Sequence, residues 1–269
     1  MELLVIIGIA ILLYHLYKKY FKIVSTGSMV CVTGGVKSGK TTFSLWLALR
    51  KYRRNLIGVY LRNFLRKVLI KLFPKKLAHV EMEEKPLFYT VIPVKFPHVL
   101  LTDELILREE RFAYKSVIWI DEASLFADSQ AYKNHYVNRR LNLLNKLIAH
   151  ETRGGAIVYN TQSIDDLHFS VRRCLSEVYY VHDTAKFIPF FLCSTVREER
   201  YCESGNITQY NEDVADSLKR VLIPKSIWKK FDCYCYSALT DEKRVHTDER
   251  TADTLKAKKI ITLDISNKE

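Results

Sequence analysis

The octapeptide at residues 34–41, G-G-V-K-S-G-K-T, constrains this chain more than any other feature, because it matches the pattern G-x-x-x-x-G-K-[ST] at every fixed position. Glycines let several backbone N–H groups converge on one phosphate, and a helix that begins at such a loop points the positive end of its dipole at the same anion. The pattern has this meaning only between a strand and a helix. The apolar runs at 29–33 and 43–49 predict those two elements, so the sequence predicts a phosphate-binding loop.

Each position of the loop has an expected role in binding a nucleoside triphosphate. Lys40 would reach the β- and γ-phosphates, and the Thr41 hydroxyl would ligate Mg²⁺. We therefore expect ATP and Mg²⁺ as cofactors. The residues expected to bind them are Gly34, Gly35, Val36, Lys37, Ser38, Gly39, Lys40, Thr41 and Thr42.

The cations of residues 50–54 (RKYRR) set the expected end of the helix, because positive side chains are favoured at a helix C-terminus. Residues 55–76 then form a separate basic amphipathic insertion, which alternates bulky apolar residues with cations and stops near Pro74. Three interpretations of this insertion remain open. It could lie in the headgroup plane of an anionic membrane, pack on the core as an ordinary surface helix, or present a basic strip to DNA.

An acidic pair follows a second buried strand. Residues 116–120 (SVIWI) predict the strand, and Asp121 and Glu122 stand at its carboxyl end. Ligands of open α/β sheets bind at that edge. We therefore expect Asp121 to hold Mg²⁺ opposite Thr41, and Glu122 to act as the general base that polarises the attacking water.

Two further kinds of side chain are candidates for catalysis. The predicted strand 156–162 ends in N-T-Q, and Gln162 is expected to sense the γ-phosphate or position water, with loop capping as the alternative. Arg153, Arg172 and Arg173 are candidates for an arginine finger that acts on the nucleotide of a neighbouring subunit, with ordinary surface arginines as the alternative. An arginine finger in trans would require a homo-oligomer.

The amino-terminal segment predicts a membrane anchor. Residues 3–14 are apolar without interruption, and Lys18, Lys19 and Lys22 follow them. Residues 2–21 reach the roughly 17–25 residues that a spanning helix needs, whereas a signal peptide carries its positive charge before the apolar run. The positive-inside rule then places the N-terminus outside and the rest of the chain in the cytoplasm. A buried helix of a soluble protein is the alternative.

Composition bounds the rest of the organisation. The net charge of +12 indicates an anionic partner, such as nucleic acid or a lipid surface, or simply a soluble basic surface. The six cysteines are scattered without metal-ligand spacing, which favours reduced thiols and a cytoplasmic domain.

The predicted fold class is α/β, a P-loop NTPase with a mainly parallel sheet flanked by helices and preceded by one transmembrane helix. The expected core strands and helices include 87–94, 101–110, 137–150 and 169–182. The expected domains are an anchor at 1–22, a linker at 23–28, an ATPase core at 29–186, an extension with a β-hairpin around 204–206 at 187–240, and a charged tail at 241–269.

Several stretches together resemble the Zot (zonular occludens toxin domain) family, the membrane-bound assembly ATPases of filamentous phages. They are "VIPV" before the acidic strand "VIWIDEA", then "AHETRGG", "AIVYNTQSIDD" and "VRR", which lie within residues 29–182. The resemblance implies an oligomeric ATPase that powers virion assembly and extrusion at the bacterial inner membrane, together with coat proteins and the phage genome. Zot proteins usually carry the membrane segment after the ATPase domain, whereas here the apolar segment precedes it, which puts a periplasmic docking or toxin function in doubt.

Three functions are consistent with these features. The first is a motor ATPase of the inner membrane for phage export, with Lys40, Thr41, Asp121 and Glu122 carrying the chemistry. The second is a DNA translocase or genome-packaging ATPase of the FtsK–HerA type, which would share the anchor, the acidic pair and the basic surface. The third is a nucleotide-binding switch without turnover, against which Glu122 argues, since a binding module needs no base there.

Overall fold

A computed structural model describes residues 21, 24, 26–73, 81–107, 112–130, 134–146, 154–199 and 218–231. Except for Phe21, the predicted anchor at 1–22 lies outside these residues, as does the predicted tail at 241–269. No helix within the described ranges combines the length and the apolar character needed to cross a bilayer.

The described residues form eight strands and five α-helices. The strands are β1 (Met29–Gly34), β2 (Phe88–Thr90), β3 (Val99–Leu100), β4 (Val117–Ile120), β5 (Ala156–Asn160), β6 (Glu177–Ile188), β7 (Phe191–Glu199) and β8 (Leu218–Pro224). The helices are α1 (Lys40–Leu72), α2 (Asp103–Leu107), α3 (Ala123–Phe126), α4 (His135–Lys146) and α5 (Phe169–Arg172). Short 3₁₀ turns occupy Ile164–Asp166 and Lys225–Lys230.

All eight strands belong to one sheet, in the order β3-β2-β4-β5-β1-β6-β7-β8. The pairs from β3 to β6 are parallel, and the pairs β6–β7 and β7–β8 are antiparallel. Every residue of β1, β4 and β5 is buried, as expected for parallel strands covered on both faces. The predicted α/β fold with a mainly parallel sheet is therefore confirmed.

The hydrophobic core covers both faces of the sheet. Trp119 and Tyr179 are fully buried with Phe43 on the face that α1 covers. Tyr159 is fully buried on the opposite face, where its hydroxyl donates to the side-chain oxygen of Asn145 on α4 at 3.5 Å. The indole N–H of Trp119 donates to the Ser44 hydroxyl at 3.0 Å, which ties the strand before the acidic pair to the helix after the loop. The free thiol of Cys31 is buried in the same core, and Cys174 and Cys193 are free as well.

The predicted end of the first helix within residues 50–54 is wrong, because α1 continues without a break to Leu72. The cations there stabilise other carbonyl groups. Arg50 donates to the carbonyl of Val24 at 2.9 Å and Lys51 to that of Thr26 at 3.2 Å, so both tie α1 to the segment before β1. The helix ends only where Phe73 precedes Pro74, a position that disfavours helical backbone.

The predicted boundary at 186/187 falls inside β6, so the following strands extend the same sheet. The turn of the β6–β7 hairpin lies at residues 189–190, while the predicted hairpin turn at 204–206 lies outside the described residues, between β7 and β8. Of the predicted strand 87–94, only Phe88–Thr90 is a regular strand, although the buried residues 91–94 continue in the core.

Candidate functional site

The glycine-rich loop lies where the sequence predicts it, between the carboxyl end of β1 and the start of α1 at Lys40. Gly39 and Lys37 adopt left-handed backbone conformations, with φ of 85° and 64°. The helical hydrogen bonds begin at once, since the N–H of Phe43 donates to the carbonyl of Gly39 at 3.0 Å. The positive end of a 33-residue helix is therefore directed at the loop.

Strand β6 runs close behind the loop and leaves room only for glycine at two positions. A Cβ atom on Gly34 would lie 2.6 Å from the carbonyl oxygen of Val181, and one on Gly39 would lie 2.4 Å from the hydroxyl of Thr184. The parallel pairing of Gly34 with Val181 brings β6 to this position. Glycine is therefore required at both fixed positions of the motif, because of the backbone conformation of the loop and because strand β6 leaves no room for a Cβ atom.

Three polar side chains from different elements meet at the start of α1. The side-chain amide of Asn160, at the tip of β5, donates to the Thr41 hydroxyl at 3.1 Å and also to a carboxylate oxygen of Asp121. Because β5 is paired with β1 on one side and β4 on the other, Asn160 lies between the loop strand and the acidic strand. The sheet order therefore brings Thr41 and Asp121 to one place, across 80 residues of chain.

Burial dominates the electrostatics of Asp121. It raises the pKa of this carboxyl to about 6, and the charge of Glu122 acts in the same direction. The hydrogen bond from Asn160, the charge of Lys40 and the hydrogen bond with Thr41 act to lower it. A buried carboxylate of this kind lacks a full counter-charge, and a divalent cation would supply one.

Glu122 has a strained backbone, which fixes the direction of its side chain. Its φ of 48° and ψ of 54° are left-handed, and it stands directly before α3. Non-glycine residues adopt this conformation rarely and at a cost of about 1–3 kcal/mol, usually where the fold requires one orientation. The carboxylate is half-buried, immediately next to Asp121.

The residues present fit a nucleotide phosphate and Mg²⁺. Two buried polar atoms in this region, the Ser38 hydroxyl and the side-chain carbonyl oxygen of Asn160, have no hydrogen-bond partner among the residues that the structure describes. Buried polar groups are nearly always paired, so both atoms are suited to a further ligand. Hydroxyl and carboxylate oxygens such as those of Thr41 and Asp121 are the ligands that Mg²⁺ prefers.

The remaining predicted catalytic side chains are not part of this cluster. Gln162 is exposed, and only its backbone carbonyl contacts the loop, where it accepts from the N–H of Gly34 at 3.5 Å. Arg172 pairs with Asp165 at 3.2 Å, and the guanidinium of Arg173 lies 5.6 Å from the ring of Phe169. Arg153 lies outside the described residues. Their roles stay predictions.

Asn160 is the site residue that the sequence analysis did not select. It belongs to the same polar N-T-Q end of the strand as Gln162, two positions earlier. Asn160 could have been recognised as the last residue of the buried apolar run. The register pairs it with Val32 inside the sheet, whereas Gln162 lies beyond the end of the strand. Only the pairing of the strands distinguishes the two amides.

The structure is similar to several solved structures. The N-terminal domain of zonular occludens toxin from Neisseria meningitidis is 13% identical, with a TM-score of 0.41, over 77% of this chain and 100% of that one. The genome packaging NTPase B204 of Sulfolobus turreted icosahedral virus 2, in complex with ATP-gammaS, is 12% identical, with a TM-score of 0.32, over 73% of this chain and 96% of that one. The FIGL-1 AAA domain in complex with ADP is 14% identical, with a TM-score of 0.32, over 61% of this chain and 46% of that one.

The N-terminal domain of zonular occludens toxin, whose family the sequence motifs resemble, is among the solved structures to which this chain is similar. No protein-family model and no curated protein matches the sequence. Likeness at these identities and TM-scores concerns the fold, and it carries neither activity nor partners from those proteins to this chain.

Proposed function

We propose that this chain is a P-loop ATPase that hydrolyses ATP at the loop between β1 and α1. The observation that carries the proposal is the cluster in which the Asn160 amide bridges the Thr41 hydroxyl and the Asp121 carboxylate, next to the buried Lys40. A loop that only bound phosphate would have no use for a buried acid opposite its threonine. The partly exposed Glu122 beside that acid adds a base.

In this proposal different residues bind the phosphates, hold Mg²⁺ and activate the attacking water. The backbone N–H groups of residues 34–40 and the ammonium of Lys40 bind the phosphates and offset their charge. Thr41 and Asp121 would hold Mg²⁺, which when bound draws charge from the phosphate oxygens. Glu122 accepts the proton of the attacking water, and its constrained backbone orients the carboxylate for that step.

The finer proposal is that ATP hydrolysis drives assembly and export of a filamentous phage virion through the bacterial inner membrane. Its support is the apolar segment at 1–22, which would anchor the chain with the ATPase domain in the cytoplasm, and the motif series "HETRGG", "NTQ" and "VRR" that resembles Zot. A homo-oligomer that contacts coat and assembly proteins follows from this proposal, with Arg153, Arg172 or Arg173 acting between subunits.

A DNA translocase or packaging ATPase of the FtsK–HerA type is the alternative. The cationic character of α1, which contains no acidic residue, is consistent with it. DNA would then stimulate hydrolysis, and the stimulation would fall steeply with salt because binding to phosphates releases counterions. An export ATPase would instead respond to coat protein, with little dependence on added DNA.

Hydrolysis by the full chain in detergent or nanodiscs tests the activity. We expect Glu122→Gln to lower kcat by about 10²–10⁴-fold while nucleotide binding persists, because only proton transfer is lost. Lys40→Ala should abolish binding of a fluorescent ATP analogue. Glu84→Gln, which neutralises an exposed carboxylate before β2, is the matched control and should leave both measurements unchanged. Normal binding by Lys40→Ala would refute the site, and normal turnover by Glu122→Gln would refute the base.

A further inference from the structure

The second half of α1 exposes a continuous apolar stripe. Ile57, Leu61, Phe64, Val68 and Leu72 recur every three or four residues, a spacing that places them on one face of the helix. All five are exposed; Ile57 exposes 66% of its surface and Phe64 exposes 62%. We call these five residues the outer stripe. A contiguous apolar surface of this kind marks an interaction site, unlike scattered apolar residues.

The opposite face of the same half-helix is polar, and it is the face that contacts the protein. The Asn55 amide donates to the backbone carbonyls of Lys115 at 2.7 Å and Gly154 at 3.1 Å. Arg62 and Arg66 both pair with Glu83, at 2.8 and 3.1 Å. These contacts fix the rotation of the helix, so the apolar face is held outward by specific bonds.

Positive charge borders the outer stripe. The 33 residues of α1 contain no aspartate or glutamate, and Arg53, Arg54, Lys67 and Lys71 are exposed near or beside the stripe. None of these four cations has an ion-pair partner among the described residues. An outward apolar face flanked by cations is the pattern of helices that lie in the plane of an anionic membrane.

A second apolar element continues the surface. The tip of the β6–β7 hairpin carries Phe187, Ile188 and Phe190, all exposed, with Phe190 at 76%. The carbonyl of Phe190 accepts from the N–H of Lys225 at 2.9 Å, next to Pro224. Pro224 in turn lines a cleft of about 410 Å³ whose other wall is α1, from Trp46 to Ile57. Pro224, next to the tip, and Ile57, the first residue of the outer stripe, therefore border the same cleft.

The chain outside the described residues enters at the same place. The ring of Phe21 packs edge-on against Phe187 at 5.6 Å, and the carbonyl of Val24 is bound by Arg50 at the wall of the cleft. The apolar residues 1–20, which the sequence predicts to span a membrane, end at Phe21. The point where that segment would leave the bilayer is therefore next to the exposed aromatic tip.

We propose that the outer stripe and the hairpin tip form one surface that lies on an anionic phospholipid membrane. The apolar side chains enter the headgroup region, and Arg53, Arg54, Lys67 and Lys71 contact the phosphates of the lipids. This inference rests on the proposed membrane anchor, which brings the surface to the bilayer. It assigns the second half of α1 the task of holding the ATPase domain in one orientation on the membrane.

Photo-crosslinking of the full chain tests the surface. The photoreactive amino acid p-benzoylphenylalanine replaces Phe64 or Phe190, and in the control it replaces Phe169, which is exposed on α5 away from the surface. Each protein is reconstituted into vesicles of phosphatidylglycerol and phosphatidylethanolamine, irradiated and analysed by mass spectrometry. We expect phospholipid adducts at positions 64 and 190 at a yield at least about tenfold above that at 169.

A charge test uses Lys67→Gln together with Lys71→Gln, with Lys146→Gln at the end of α4 as the matched control. The double variant should reduce the adduct yield at position 64 by about tenfold in phosphatidylglycerol vesicles, and the control should not. ATP hydrolysis by every variant should equal that of the unmodified chain, which shows that the fold is intact.

The outcomes separate the surface from the anchor. Retention of the chain in membranes after alkaline extraction tests the anchor alone. Retention without lipid adducts at positions 64 and 190 would refute the proposed membrane surface but not the anchor. Lipid adducts without retention would refute the anchor but not the surface. Adducts to a second copy of the chain, to another protein or to DNA would each overturn the lipid surface in favour of that partner.

Discussion

The two halves of α1 differ more from each other than many separate helices do. In the first half, Phe43, Leu45, Leu47 and Ala48 are fully buried against the sheet, and Lys40 and Thr41 stand at the phosphate-binding end. In the second half, beyond Leu49, Val59 is the one buried residue among those that the structure describes, and the apolar side chains face outward. One unbroken helix thus begins at the glycine-rich loop and ends in an exposed apolar stripe.

The difference shows that apolar composition alone does not decide burial. Both halves are rich in leucine and aromatic residues, and both are helical. Contacts of the polar residues decide the rotation of the second half, since Asn55, Arg62 and Arg66 bind the protein and turn the apolar stripe away from it. A helix that is apolar toward solvent needs a covering partner, whereas the first half already has one in the sheet.

The largest expected effect is a difference in the free energy of unfolding between the same substitution in the first half of α1 and in the second. Leu45→Ala should lower the free energy of unfolding by about 2–5 kcal/mol, because it opens a cavity in the core. Leu61→Ala, the same change on the exposed stripe, should alter it by less than about 0.5 kcal/mol. Denaturant unfolding of detergent-solubilised protein measures both. Equal losses would show that the stripe is packed and would end the contrast.

The glycine directly before this helix and a glycine within it provide the next test. Gly39→Ala should lower nucleotide affinity by more than about tenfold, because φ is 85° and the new Cβ would overlap Thr184. Gly58→Ala should raise the free energy of unfolding by about 0.5–1 kcal/mol through helix propensity, since the new Cβ meets only the end of the flexible Arg62 side chain. Titration with a fluorescent nucleotide and thermal unfolding check the pair. Tight binding by Gly39→Ala would contradict the loop geometry.

A third prediction concerns the amide that the sheet places at the start of α1. Asn160→Ala should lower kcat by about 10–100-fold, the usual cost of losing a side chain that orients a metal-binding residue. The double change Leu61→Ser and Phe64→Ser, at the other end of the helix, should leave kcat of the detergent-solubilised protein unchanged. If Asn160→Ala retained full activity across a range of Mg²⁺ concentrations, the bridge between Thr41 and Asp121 would have no role in turnover.

The smallest expected effect is a pH dependence of stability where the second half of α1 contacts Glu83. The hydrogen bond from Arg62, with Lys115 nearby, lowers the pKa of Glu83 from 4.5 to about 2. Because the folded pKa is lowered, this contribution to stability is complete above about pH 4.5 and is lost as the pH falls from there towards 2. The protection factors of the amides in residues 81–83 and α1, which correct hydrogen exchange for its intrinsic pH dependence, should fall across that window, and Glu83→Gln should abolish the change. Unchanged protection factors between pH 5 and 3 would contradict it.

The sequence predicted correctly those features that depend on neighbouring residues alone. The loop, its flanking strand and helix, and the acidic pair after a run of β-branched residues are all patterns of adjacent positions, and each element lies where it was expected. The end of the first helix was predicted wrongly because Arg50 and Lys51 bind carbonyls of the segment before β1, a contact that spans about 25 residues of chain. The choice of Gln162 over Asn160 as the site amide depended in the same way on register.

The sequence by itself determined that a phosphate-binding loop joins a buried strand to a helix, and that an acidic pair ends another buried strand. Glycine conformations, dipole direction and apolar runs act over a few residues, so they can be read without the fold. Only the tertiary structure decided that β5 lies between those strands and brings Asn160 to both Thr41 and Asp121. It also decided which face of α1 turns outward, because hydrogen bonds between residues far apart in the chain, formed only after folding, fix that rotation.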